Sequence, residues 1–151
     1  MKNIKDSTGI KYLLLVVITT LLTTSLNAEF IRNNSKNIVS DNTTNLQWQD
    51  NEIGFPQHWL KAIDTCERLN LGGYKDWRLP NINELETLVD DKSVNSSISN
   101  IFKKIIPNGY WSSTTYVNLP KNAWFIYFRV GYQDHNEKNL MNYVRCVRTK
   151  K

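Results

Sequence analysis

The chain has 151 residues, 40% hydrophobic and 22% charged, a balance that fits one globular domain with a single core and excludes an intrinsically disordered chain. Its formal charge is +5, from 19 Lys and Arg against 14 Asp and Glu, and no basic run is interleaved with stacking aromatics, which argues against nucleic acid as a partner. Five Trp, seven Tyr and five Phe suit a β-containing core or an aromatic contact surface.

Lys2, Lys5 and Lys11 precede an apolar run at residues 12–22, and Ser25-Leu26-Asn27-Ala28 then supplies a small residue at a cleavage point. That is the three-part layout of a secretory signal peptide, over residues 1–28. The run is short of the ~20 residues of a membrane span and no basic stop signal follows it. Retention as an N-terminal anchor is the alternative; after cleavage no membrane contact is expected. Without the leader the counts fall from 19 and 14 to 16 basic and 13 acidic residues, a net charge of +3. The expected location is secreted, periplasmic or cell-surface.

Residues 29–37 are polar and predict a loose lead-in. Residues 38–49 predict strand, turn and strand, with Asp, Asn and Thr side chains bonding their own backbone and Asn45 tolerating the left-handed region. Trp59, Ala62, Ile63, Cys66 and Leu69 recur at spacings of three and four, a helix entered after Pro56 and closed by Leu71-Gly72-Gly73. Its solvated side is expected to carry Lys61, Asp64, Glu67 and Arg68, and Trp59 is expected in the core. Pro80 drives Leu79 extended, and Asn81 with Glu84 three residues on has the form of a capping box. Leu85, Leu88 and Val89 then continue at helical spacing. Arg78, in the corner, is expected to bond loop carbonyls or a carboxylate such as Asp76.

Residues 90–95 predict a loop. Asp90-Asp91 begins like a calcium loop but lacks the later oxygen ligands at fixed offsets, so neither metal nor cofactor is expected. Ile98, Ile101, Phe102, Ile105 and Ile106 form a short apolar face. Residues 110–115 predict a strand whose hydroxyls, Ser112 included, bond across the sheet. Neither His58 nor His135 has a context that makes Ser112 a nucleophile. After a polar loop at 116–122, residues 123–130 alternate strictly, with Trp124, Ile126, Phe128 and Val130 expected inward and Phe125, Tyr127 and Arg129 outward. Residues 131–142 predict a polar hairpin connection, 143–148 a last strand and 149–151 a tail.

The two cysteines, Cys66 and Cys146, lie 80 positions apart. Export favours a disulfide between them, and two buried thiols are the alternative. Neither has the His or Asn company of a catalytic cysteine.

Four separated stretches resemble the Lcl C-terminal domain family, exported bacterial modules with a C-type-lectin-like fold. They are residues 41–48, with Asn45 where the family prefers Gly; the Gly72-Gly73-Tyr74-Lys75-Asp76-Trp77-Arg78-Leu79-Pro80 corner; Tyr110-Trp111-Ser112-Ser113-Thr114; and Val144-Arg145-Cys146-Val147-Arg148. Their order covers residues 38–148. The resemblance implies an α+β, C-type-lectin-like fold with two helices on a mostly antiparallel sheet and one long-range disulfide from an early helix to the last strand. It implies an adhesin-like binding module for an anionic polysaccharide or an extracellular protein, with a homo-oligomer as one route to avidity. If Cys146 faces Cys66, Tyr143 and Arg145 face the other way. Beside Tyr127 and Arg129 they would form an aromatic–arginine ligand patch. The competing reading has Arg145 and Arg148 paired with carboxylates inside the fold. Two further readings are a structural envelope protein without ligand and an enzyme related to the formylglycine-generating fold. The expectation is a binder and not an enzyme, because both cysteines are committed to the bridge.

Overall fold

A computed structural model describes residues 30–90 and 97–151; the leader at 1–28 and residues 91–95 of the acidic loop lie outside the described residues. In chain order the elements are β1 (Phe30–Asn33), β2 (Ile38–Asp41), β3 (Leu46–Gln49), α1 (Trp59–Glu67), α2 (Ile82–Glu86), β4 (Gly109–Thr115), β5 (Asn122–Tyr127), β6 (Tyr132–Glu137) and β7 (Val147–Thr149). The class is α+β. The strands form two antiparallel sheets, ordered β1-β2-β3-β7 and β4-β5-β6.

Both hairpin turns of the first sheet depend on asparagine. Asn37 and Asn45 take φ of 54° and 59°, a region that Asn tolerates better than most residues. Asp41 closes the second turn by accepting from Thr43 N–H at 2.8 Å and from the Thr44 hydroxyl at 2.6 Å. Residues 30–37, expected as a loose lead-in, instead hold β1 and the turn into β2. Phe30 anchors β1 by packing edge-on against Phe102, with ring centroids 5.9 Å apart. The connection at 131–142 likewise contains β6, paired with β5 over its whole length. Its Tyr-Gln-Asp-His-Asn-Glu sequence carries no apolar alternation because it is a partly exposed edge strand.

Helix α1 buries Ala62 and Cys66, while Lys61 and Arg68 both pair with Asp64 on the outer side. Trp59 is half-buried, its indole N–H donating to Ser112 O at 2.7 Å. The Asn81–Glu84 capping box is complete, but α2 ends at Glu86, and Leu88 and Val89 follow in turns bonded to Leu85 O and Glu86 O. Arg78 forks onto Glu84 at 2.6 and 2.7 Å rather than onto Asp76. Burial works to raise the Glu84 carboxyl, yet the Arg78 hydrogen bonds, the Asn81 N–H and the Arg78 charge bring it below its ordinary value.

The core has two halves, and the alternation of β5 serves both. Ile126 and Phe128 enter one half with Trp48, Leu85 and Val147; Ala123 and Phe125 enter the other with Trp77, Trp111 and Cys146. Of the outward set Phe125 is buried and Tyr127 half-buried, with Arg129 alone exposed, whereas Val130, expected inward, is 62% exposed past the strand's end.

The closing segment joins everything. Tyr143 exchanges hydrogen bonds with the start of β4, through Gly109 O and Trp111 N–H, and Val147 pairs with Trp48 on β3 and bonds Arg78 in the corner. Thr149 still belongs to β7 opposite Leu46, and Lys150 bonds Asn45, so the expected tail begins late. Between these contacts Cys146 bonds Cys66 of α1, with Cα atoms 5.4 Å apart. Both sulfurs are buried. Closing 80 positions of chain removes about 4.5 kcal/mol of unfolded-state entropy by the chain-entropy relation. A Cys66→Ala/Cys146→Ala variant is accordingly expected to lose stability of that order, read in urea unfolding as a lower midpoint with a larger m-value, because the unbridged unfolded chain is less compact.

Candidate functional site

The four residues expected to form a ligand patch are not brought together. Arg145 is 0% exposed. Its guanidinium donates to Gln49 O at 2.6 Å and to Lys104 O, lies 3.4 Å from Asp50 and stacks 4.6 Å from the centroid of Phe102. Burial pulls Arg145 down to about 10, which leaves it cationic at neutral pH. Tyr143 packs against the first core half and Tyr127 against the second, on opposite sides, and Arg129 is exposed. An exposed patch would require solvent on one side of residues 143–148. The segment instead runs between two core halves, so both its faces are covered.

Asp50, which no motif marked, is the partner that makes this possible. Also fully buried, it accepts the backbone N–H groups of Lys103 and Lys104 at 3.0 and 3.1 Å and meets Arg32 of β1 as well as Arg145. Three segments thereby converge on one carboxylate.

The accessible chemistry lies at the other end of the closing strand. Leu71 and Tyr74 bond each other's backbone at 3.1 Å around Gly72 and Gly73, whose φ of 64° and 85° define a tight hairpin turn. A Cβ on Gly72 would lie 2.5 Å from Ile38 Cδ1, so a larger residue would have to displace that buried side chain as well as hold a positive φ. This turn projects Tyr74 beneath Arg148, whose guanidinium carbon is 3.8 Å from the ring centroid, with Lys36 Nζ at 5.1 Å. Arg148 is 4% exposed and its donors are already engaged. It forks onto Asp76 at 2.7 and 3.1 Å and donates to the Gln47 side-chain amide oxygen. Those hydrogen bonds hold the Asp76 carboxyl at about 2, well below the carboxylate range. Around this inner set opens a groove of about 670 Å³, on which Lys75, Lys150 and Lys151 stand as exposed cations.

A family profile described as the Lcl C-terminal domain matches residues 37–148. The chain belongs to the Lcl C-terminal domain family. Comparison with curated proteins gives no match. In this Lcl C-terminal domain the matched span ends at Arg148, so Tyr74, Asp76 and Arg148 lie inside it while Lys36, Lys150 and Lys151 lie outside. The groove's inner frame is thus within the family's pattern, and much of its free positive charge is carried by flanking residues of this chain.

Sequence reasoning reached Arg148 only as a structural arginine and missed Tyr74 and the four lysines. The available signal was weak: Lys36 and Lys75 are isolated, and Lys150 and Lys151 sat in what read as a tail.

Two outcomes follow. Asp50→Ala strands two buried guanidinium groups and is expected to cost about 3–5 kcal/mol in chemical denaturation. The Asp76 carboxyl is lowered in the fold, so the stability it contributes is complete above its unfolded value near 3.8 and is lost as pH falls through about 2. Asp76→Asn should therefore flatten the stability–pH curve between about pH 4 and 2 relative to wild type, measured by thermal melts.

Proposed function

We propose that this chain is an exported, C-type-lectin-like binding module that grips an anionic glycan in the groove beside Tyr74. The observation carrying this reading is an asymmetry of charge. Asp76 is the groove's carboxylate and is already paired with Arg148, whereas Lys75 and Lys150 stand exposed and Lys36 adjoins the same ring. Lys151 lies 3.5 Å from the shared carboxylate with its side chain 82% exposed. A sulfate or carboxylate entering the groove meets ammonium groups with no unpaired side-chain carboxylate among its lining residues, and an aromatic ring against which a sugar can rest.

The leader-like sequence at 1–28 supports delivery outside the cytoplasm, and the buried bridge between Cys66 and Cys146 suits an oxidising compartment. The same bridge engages both cysteines, which argues against the cysteine chemistry of formylglycine-generating enzymes. Binding rather than catalysis is the reading these features support.

Retention on an immobilised sulfated polymer at low salt, with elution as salt rises, is the expected behaviour. Lys75→Ala/Lys150→Ala should reduce the slope of log affinity against log salt by about 2, one per cation removed. Arg129→Ala, outside the groove, should leave it unchanged. Loss of binding in the Arg129 variant with the lysine pair neutral would refute the groove, and no retention at low salt would remove the glycan.

A further inference from the structure

We propose that the anion subsite of the groove is the Arg148 guanidinium, occupied in the free chain by the Asp76 carboxylate, which yields it only to a ligand carrying several anionic groups. This rests on the groove being the ligand site and adds selection to attraction: the internal carboxylate excludes simple anions and admits a polyanion.

Arg148 is held in place without help from Asp76. It faces Gln47 across the β3–β7 pairing. The Gln47 amide is oriented from behind, its nitrogen donating to Ser40 Oγ at 3.1 Å while its oxygen accepts from Arg148. The Tyr74 ring supports the guanidinium from one face, with the guanidinium carbon 3.8 Å from its centroid. What remains is one edge, Nε and Nη2, which suits a bidentate oxyanion. Asp76 fills that edge at 2.7 and 3.1 Å.

Asp76 is the movable member of the pair. Its side chain is 38% exposed against 5% for Arg148, and it lies outside the strands, between the Gly72-Gly73 turn and Arg78. Rotation about its Cα–Cβ bond can carry the carboxylate toward solvent while β7 stays where it is. Both residues line the groove, so the vacated edge opens on the space around Lys75 and Lys150.

A lone sulfate or carboxylate that replaces Asp76 exchanges one charge-assisted fork for another and gains little. It also competes with a tethered group, whose effective concentration is on the order of mM or higher. A ligand that sets further anions against Lys75 and Lys150 makes contacts that Asp76 cannot make. Lys151, 3.5 Å from the same carboxylate, is released along with Arg148.

Titration of wild type, Asp76→Asn and Glu137→Gln with sodium sulfate and with a heparin hexasaccharide, at fixed ionic strength and neutral pH, tests this. Glu137 pairs with Lys121 and does not line the groove, so its variant controls for the loss of one negative charge. Wild type is expected to bind the hexasaccharide and to ignore sulfate below about 5 mM, whereas Asp76→Asn binds sulfate in that range. Asp76→Asn should also hold the hexasaccharide at least ~10-fold more tightly, against less than ~3-fold for Glu137→Gln. In wild type the Asp76 carboxyl carbon resonance should shift as the hexasaccharide saturates, a readout that needs no variant to fold. The proposal is overturned by an Asp76→Asn chain that ignores sulfate or gains no more than the control, by wild type binding sulfate equally well, or by a carboxyl resonance unmoved at saturation. Sulfate binding by Asp76→Asn with no hexasaccharide binding by any chain would support the occupied subsite and refute the glycan. Absence of both kinds of binding in every chain would refute both.

Discussion

The ion pair between Arg145 and Asp50 is the interaction on which the rest depends. Removing two charges from water is costly, and a buried pair by itself adds little to stability. Its value here is that it has one solution. Asp50 satisfies the Lys103 and Lys104 amides and the β1 arginine, while Arg145 satisfies two main-chain carbonyls from different segments. Any one-residue slip of the closing segment, in which Arg145 and Cys146 precede β7, would exchange Arg145 with Cys146 or Val144 and leave charges stranded in an apolar interior. The disulfide one residue later enforces the same register covalently.

Legibility followed physical scale. Features written in neighbouring residues were readable. The Asn81–Glu84 box, the helical stripe through Ala62 and Cys66, and the left-handed turn at Asn45 each need only a few positions and a local rule. Features set by what lies across the fold were not. Nothing in Tyr-Gln-Asp-His-Asn-Glu marks a strand, because an edge gains its order from the backbone of β5. The orientation of residues 143–148 was read in the right alternation but with the wrong surroundings, since sequence period says which residues share a side and not what covers it. Asp50 was invisible for a similar reason: its partners come from β1, from residues 103–104 and from the closing strand.

The same distinction separates frame from charge in the groove. Tyr74 is projected by a glycine turn pressed against Ile38, and Arg148 is locked by Asp76 and Gln47, so the inner surface has little freedom. The lysines around it are long and exposed, and Lys36, Lys150 and Lys151 flank the matched span. Such an arrangement lets a fixed scaffold keep its shape while the charge around it varies residue by residue, because surface lysines can be exchanged at small cost in stability.

The position of the sealing segment along the chain also bears on when folding can finish. Residues 143–149 hydrogen-bond to β4, to β3 and to the corner at Arg78, contacts spanning as many as 103 positions between Leu46 and Thr149. High contact order of this kind delays productive collapse. As the polypeptide emerges from the ribosome or threads through a translocation channel, its earlier strands have no lid for either half of their interior until this stretch appears. Acquisition of structure is thus expected as a late, cooperative event, which is compatible with passage across a membrane in an extended state.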